Sequence, residues 1–200
     1  MSALPRLTRT TPKPAVRQIH FGPGAFFRGF NAVYTHELAQ ETGDLWGVLA
    51  VSLRSRGAAD QLVDQGCAFT SVTLAPEGPR YAVIESIADV VVASDDPAGL
   101  IEAMADAAVS LVSLTVTEKG YCYHPATGRL DTAQADIIHD LAQPDQPKSA
   151  LGFLVAGLAR RRALELPPFT VLSCDNLPSN GALTRTLVLE FARLLDPSLA

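Results

Sequence analysis

Gln18-Ile19-His20-Phe21-Gly22-Pro23-Gly24-Ala25-Phe26-Phe27-Arg28-Gly29 is the stretch on which the reading of this chain turns. An apolar run enters two glycines around a proline and leaves as a segment with helical spacing. A strand that ends in a glycine turn and continues as a helix lets backbone N–H groups approach a phosphate. The third glycine of a dinucleotide fingerprint would fall at position 27, where this chain has Phe27. Two readings therefore stand for Gly22 and Gly24: close backbone approach to a pyrophosphate, or a tight turn needing left-handed backbone. Pro23 fixes φ and removes one donor.

Downstream, Phe30, Val33, Tyr34 and Leu38 recur at helical spacing, which predicts one amphipathic helix over residues 27–40. Residues 46–53 form a continuous apolar run, as in a strand covered on both faces. Strand, turn, helix and strand make a βαβ unit with a parallel sheet and a right-handed crossover. Residues 68–74 and 80–86 flank a Pro/Gly segment and read as an antiparallel hairpin, which 87–93 prolongs. Ser94-Asp95-Asp96-Pro97 starts a helix. Residues 109–116 are a strand, 121–124 and 129–130 a small hairpin, 132–142 and 149–165 helices, 169–173 a strand and 181–195 the last helix. The alternation predicts an open, doubly wound, mostly parallel α/β sheet with an antiparallel hairpin insertion.

Composition narrows the classes. Hydrophobic residues are 48% of the 200 and charged residues 18%, a globular balance. The net charge of −5 argues against a nucleic-acid surface. The basic run Arg160-Arg161-Arg162 ends a predicted helix, where cations favour the dipole. No apolar run is long enough to span a membrane. Residues 1–16, with Arg6, Arg9 and Lys13, read as a polar N-terminal arm rather than a signal peptide. Three cysteines, an odd set with no close spacing and no Cys-x-x-Cys, fit a reduced, cytoplasmic compartment, and neither they nor the four histidines have metal-ligand spacing.

In doubly wound sheets the ligand crevice lies at the carboxyl ends of the strands. Four strand ends here carry polar or glycine-rich loops: 22–28, 54–57, 117–121 and 173–180. If the strands are parallel, all four gather on one edge. The first then meets a pyrophosphate through Gly22, Gly24, Ala25, Phe26 and Arg28, and the second an adenosine ribose through Arg54, Ser55 and Arg56. The last two, with Thr117 and Ser173, fall where a nicotinamide and substrate would sit.

Arg28 lies at a predicted helix start, where the dipole disfavours a cation; an anionic partner would relieve the conflict. Phe26 and Phe27 read as packing before chemistry. The second loop lacks the acid that bonds a ribose 2′-OH; two arginines bracket Ser55 instead, either a 2′-phosphate site or a surface pair. Glu118, placed at the end of a buried strand, needs a partner or water; a catalytic cleft and a salt bridge to Lys119 both supply one. Asp175 and Asn180 read as holders of the loop backbone. His20 reads as a satisfied core or edge histidine.

Gly22-x-Gly24-x-Phe26-x-Arg28, Ser113 to Tyr121, and Ser173-Cys174-Asp175-Asn176-Leu177-Pro178-x-Asn180-Gly181 together resemble the polyol-specific long-chain dehydrogenases. This family includes mannitol 2-dehydrogenase and the fructuronate and tagaturonate reductases. The resemblance runs from Arg17 to the C-terminus. It implies a Rossmann-type nucleotide domain over 17–200 and hydride transfer between NAD and the secondary alcohol or ketone of a sugar alcohol or hexuronate, without a metal. NADP stays open because of Arg56. Asn176 matches the asparagine that polarises the substrate oxygen, and Glu118 falls at the nicotinamide end. The family's flanking histidines are Phe27 and Phe30 here. Its proton-transferring Lys-x-x-x-x-Asn-x-x-His pattern, carried on a helical C-terminal domain, is absent, so the chain reads as the cofactor part of such an enzyme. A non-catalytic nucleotide-binding or protein-interaction module is the alternative.

Overall fold

The computed structural model describes residues 7–200. Arg6 and the start of the expected polar arm lie outside the described residues. The protein is α/β, with a five-stranded sheet and two small antiparallel ladders. It divides into two compact units, one ending at Val92 and one from Ala93 to Ala200.

In the first unit, β1 (Ala15–Phe21) pairs in parallel with β2 (Trp46–Ser52), and β2 with β5 (Ile87–Val92). Gly47 to Val51 are buried, as a strand with both faces covered requires. Their core includes Phe27, Ala32, Val48, Leu62, Ile84 and Ile87. Between the strands run α1 (Ala25–Gly29), α2 (Asn31–Thr42) and α3 (Gly57–Leu62). The hairpin of β3 (Phe69–Ala75) and β4 (Gly78–Ile84) is antiparallel as expected; it closes with Ala75 opposite Gly78, whose φ of 119° suits glycine. Residues 87–92 do not prolong that hairpin. Glu85 and Ser86 redirect the chain, and β5 becomes a strand of the parallel sheet. The arm is fastened too: Arg9 Nε and Nη1 donate to the carbonyls of Gly66 and Glu85, each at 2.8 Å, and Nη2 to that of Ile87.

The predicted single helix over 27–40 is two helices broken at Phe30, whose φ of −128° and ψ of −79° leave the helical region. The apolar face is corrected in part, since of the four residues at helical spacing Val33 packs against the core. Ala32 is the buried residue of α2, while Phe30, Tyr34 and Leu38 are exposed.

The second unit holds α4 (Pro97–Met104), β6 (Leu111–Leu114), α5 (Thr117–Gly120), the two-residue strands β7 (Tyr123–His124) and β8 (Arg129–Leu130), α6 (Ala135–Ala142), α7 (Ala150–Ala163), β9 (Thr170–Ser173) and α8 (Asn180–Leu195). β6 and β9 are parallel. Asp96 and Ser149 cap α4 and α7 with side-chain oxygens. Asp140, fully buried, accepts from Lys148 N, Ser149 N and Ser149 Oγ and so fixes the approach to α7.

Arg161 does more than favour the dipole of its own helix. Its side chain is buried, and it donates to the carbonyls of Met104, Asp106, Val109 and Pro167. One guanidinium thus satisfies the end of α4 and the entries to β6 and β9. Arg161→Met should strand those acceptors and destabilise the protein by about 3 kcal/mol or more. Urea denaturation reads this directly; an unchanged midpoint would contradict the role.

Candidate functional site

Within the first unit, parallel pairing sets the end of β1 beside the end of β2. Phe21 lies opposite Val51, and Gly22 N donates to Val51 O at 2.9 Å. The loops 22–28 and 54–57 therefore leave neighbouring strands on the same side. Arg28 Nη1 donates to Gln61 Oε1 of α3 at 3.3 Å, linking the segments that follow the two loops.

Gly22 has φ of 98°, backbone that favours glycine, whereas Gly24 has φ of −73° and needs no such freedom. A Cβ built on Gly24 would meet nothing within 4 Å. The space above Gly24 is open, and Ala25 and Phe26 beside it are exposed. The first-turn amides of α1 have no carbonyl within their helix to bond. Phe26 is thus not the packing residue that sequence suggested; Phe27, fully buried, is. Arg28 falls in the last turn of the five-residue α1, so the expected conflict with the helix dipole does not arise.

His20 sets this turn from beneath. It is fully buried, its ring stacks on Phe27 at 3.8 Å between centroids, and Nε2 donates to Gly22 O at 3.2 Å. Gly24 N donates to the same carbonyl at 2.7 Å. Burial lowers the imidazole pKa to about 3, with the Gly22 hydrogen bond opposing weakly, so the ring is neutral. Sequence placed His20 in the core; its grip on the glycine turn had no local signal.

Arg54, Ser55 and Arg56 are exposed. Ser55 Oγ accepts from Gly57 N at 3.2 Å, shaping the turn. Arg56 Nε lies 3.8 Å from Asp60 Oδ1 on α3. This is an exposed pair of the kind that contributes little.

The second unit repeats the arrangement with β6 and β9. Leu114 lies opposite Ser173, and Cys174 N donates to Leu114 O at 2.9 Å. One carboxylate ties the two loops: Asp175 accepts from Val116 N at 3.0 Å, Thr117 N at 3.2 Å and Tyr121 Oη at 2.8 Å. Tyr121 Oη also lies 2.6 Å from Ser173 Oγ. Asn180 Nδ2 donates to the carbonyls of Ser173 and Asp175, each at 3.0 Å. Asn180 holds the backbone of its own loop as expected, whereas the Asp175 carboxylate holds the backbone of the other. Burial, with the Asp175 carboxylate adding to it, pushes the Tyr121 phenol far above its ordinary value. Thr117, at φ of 66°, has strained backbone that these bonds hold in place.

β6 ends at Leu114 rather than at 116, because the chain turns into α5. Glu118 is therefore exposed on that helix and accepts from Tyr123 Oη at 3.0 Å. The carboxylate is hydrated, so the cost expected for a buried strand end does not apply. Ser173 is buried with its hydroxyl committed to Tyr121, which makes it part of the support. Asn176 is exposed beyond it. Among the described residues no group of three or more His, Cys, Asp and Glu is placed to hold a metal, and none of the three cysteines is in a disulfide. No helix among them is long and apolar enough to cross a membrane. A cavity of about 330 Å³ in the first unit, lined by Thr10, His36, Trp46 and Glu85 among others, lies at the starts of β1 and β2, away from the glycine turn.

A parallel sheet whose first strand enters a glycine turn beneath a helix defines a dinucleotide-binding fold of the Rossmann type. The chain belongs to the mannitol dehydrogenase family: residues 16–200 match the mannitol dehydrogenase Rossmann domain. It is 40% identical over 188 residues to D-mannonate oxidoreductase of Escherichia coli, covering 92% of this chain and 39% of that protein. Polyol:NADP oxidoreductase of Gluconobacter oxydans is 35% identical, with 94% of this chain and 39% of the relative covered. Mannitol 2-dehydrogenase of Pseudomonas fluorescens, solved as a ternary complex with NAD and D-mannitol, superposes with a TM-score of 0.85 at 38% identity, over 94% of this chain and 41% of that one. The chain spans about two fifths of the length of these relatives.

Two outcomes follow from this geometry. Because the folded pKa of His20 lies below its ordinary 6.5, its contribution to stability is complete above pH 6.5 and is lost as pH falls toward 3. Wild type should lose up to about 1.4 kcal/mol per pH unit relative to His20→Gln across that window. Urea unfolding at pH 7.5, 6 and 5 measures it, and parallel pH profiles would refute it. Asp175→Ala should speed amide exchange of Val116 and Thr117 by about tenfold or more without unfolding β6 or β9. Unchanged exchange would show that the carboxylate is not the tie.

Proposed function

We propose that this chain is the cofactor-binding part of an NAD(P)-dependent polyol or hexuronate oxidoreductase. It acts in hydride transfer between a nicotinamide cofactor and the secondary alcohol or ketone of a sugar alcohol or hexuronate. The observation that carries the reading is the open turn at Gly24, held by His20 within a chain of this family. The pyrophosphate would lie over Gly22, Gly24, Ala25 and Phe26, with Arg28 supplying positive charge nearby. The open space at Gly24 fits close backbone approach, and a side chain there would fill it.

Arg54, Ser55 and Arg56 would meet the adenosine ribose. We take NAD as the cofactor, since the Pseudomonas fluorescens relative was solved with NAD. The Gluconobacter oxydans relative, by its name an NADP enzyme, keeps NADP in view. The nicotinamide supplies the hydride acceptor or donor when bound. Around it, Thr117 would line the cofactor's nicotinamide end, Glu118 would steer the proton, and Asn176 would donate to the substrate oxygen as charge develops there. Asp175 and Tyr121 would keep Glu118 and Asn176 in register. The acid/base group and most of the polyol pocket belong, on this reading, to a helical domain outside these 200 residues.

Fluorescence titration with NADH and NADPH tests the proposal. Wild type should bind NADH, and Gly24→Leu should retain the thermal midpoint yet lose NADH affinity by about tenfold or more, a change of about 1.4 kcal/mol. No binding by wild type, or full binding by a folded Gly24→Leu, would refute the site. A preference for NADPH abolished by Arg56→Ala would reassign the cofactor to NADP.

A further inference from the structure

Phe26, Phe30, Tyr34 and Leu38 follow one another at intervals of four from α1, across the break at Phe30, into α2. Their exposures are 57%, 49%, 62% and 54%. The rings form a continuous row, with centroids 4.9 Å apart from Phe26 to Phe30 and 6.5 Å from Phe30 to Tyr34. Tyr34 and Leu38, four apart, share a face of α2, the ring contacts carry the row back across the break at Phe30, and the core of this unit takes the opposite face of α2 through Ala32. Single exposed apolar residues are ordinary, but four large ones in a row mark a contact surface.

We infer that this row is the seat of the domain that the longer relatives carry outside their matched region. The inference rests on the reading of Gly24 as the nucleotide turn, because the row starts two residues beyond it and its occupant would close over the same turn. Two quantities favour this occupant over a second copy. Half-burying four such side chains removes roughly 400 Å² from water, about half of what each partner of a stable complex contributes. A domain on the same polypeptide needs far less, since a short tether supplies an effective concentration in the millimolar range. In the relatives, more of the chain lies outside the match than inside it.

The test joins this chain to the segment of Escherichia coli D-mannonate oxidoreductase that lies outside the match. Hydrogen exchange is compared over residues 26–38 in the chain alone and in the fusion. The row should gain about tenfold or more protection in the fusion, and Phe30→Ser/Tyr34→Ser should abolish the gain. Equal exchange in both would overturn the inference. So would a dimer of the chain alone, seen by sedimentation and dispersed by the double variant, because the occupant would then be a second copy. Independently of the fusion, the double variant in the chain alone should shift the thermal midpoint by less than about 2 °C; a fall of more than about 5 °C would show that the row is packed within this chain. NADH titration of the chain alone separates the two readings. Protection without NADH binding would uphold the seat while refuting the nucleotide turn, and NADH binding without protection would do the reverse.

Discussion

Parallel hydrogen bonding between neighbouring strands governs where this chain can do chemistry. When two strands run the same way in register, their loops emerge side by side, whatever separates them in sequence. Phe21 opposite Val51 brings the glycine turn next to the arginine loop. Leu114 opposite Ser173 brings residues 115–121 next to 174–180 across a separation of about sixty residues. Each unit thus builds a pair of adjacent polar loops from ordinary sheet geometry, and the side chains then secure what the strands have placed.

The securing is done by polar groups set into the structure, His20 and Arg161 buried and Asp175 half-buried. His20 holds the glycine turn through Gly22 O while its ring packs on Phe27. Asp175 collects two backbone amides and a phenol. Arg161 satisfies four carbonyls. Each group is costly to bury and more costly to leave unpaired, so each makes its local arrangement close to all-or-none. Exposed groups stand on these supports: Phe26 beside Gly24, and Glu118 and Asn176 beyond Asp175. Rigid support beneath accessible side chains is what recognition of a polar ligand needs.

Much of this was legible in the residue order. Strands buried on both faces write continuous apolar runs, so the strand read over residues 46–53 matches β2, Trp46–Ser52, to one residue, and the family followed from three short motifs. Periodicity gave α2 its apolar row but not the row's direction. The helix packs through Ala32 and Val33, so Tyr34 and Leu38 point outward, and no pattern within one helix distinguishes the two cases. The dipole argument for Arg28 failed because it needed a helix boundary, and the break at Phe30 depends on packing. The reach of Asp175 to Val116 and Thr117 is a contact between segments some sixty residues apart, invisible to any local window. β5 was assigned to the hairpin for a similar reason, since only its pairing with β2 distinguishes a new strand from a prolonged one.

The proposal that matters most is that the glycine turn and the arginine loop beside it hold a nicotinamide nucleotide. Amide chemical-shift mapping by NMR during addition of NADH tests it most directly. Residues 22–28 and 54–57 should shift together, along one binding curve. No shift in either loop, or separate curves for the two, would contradict it.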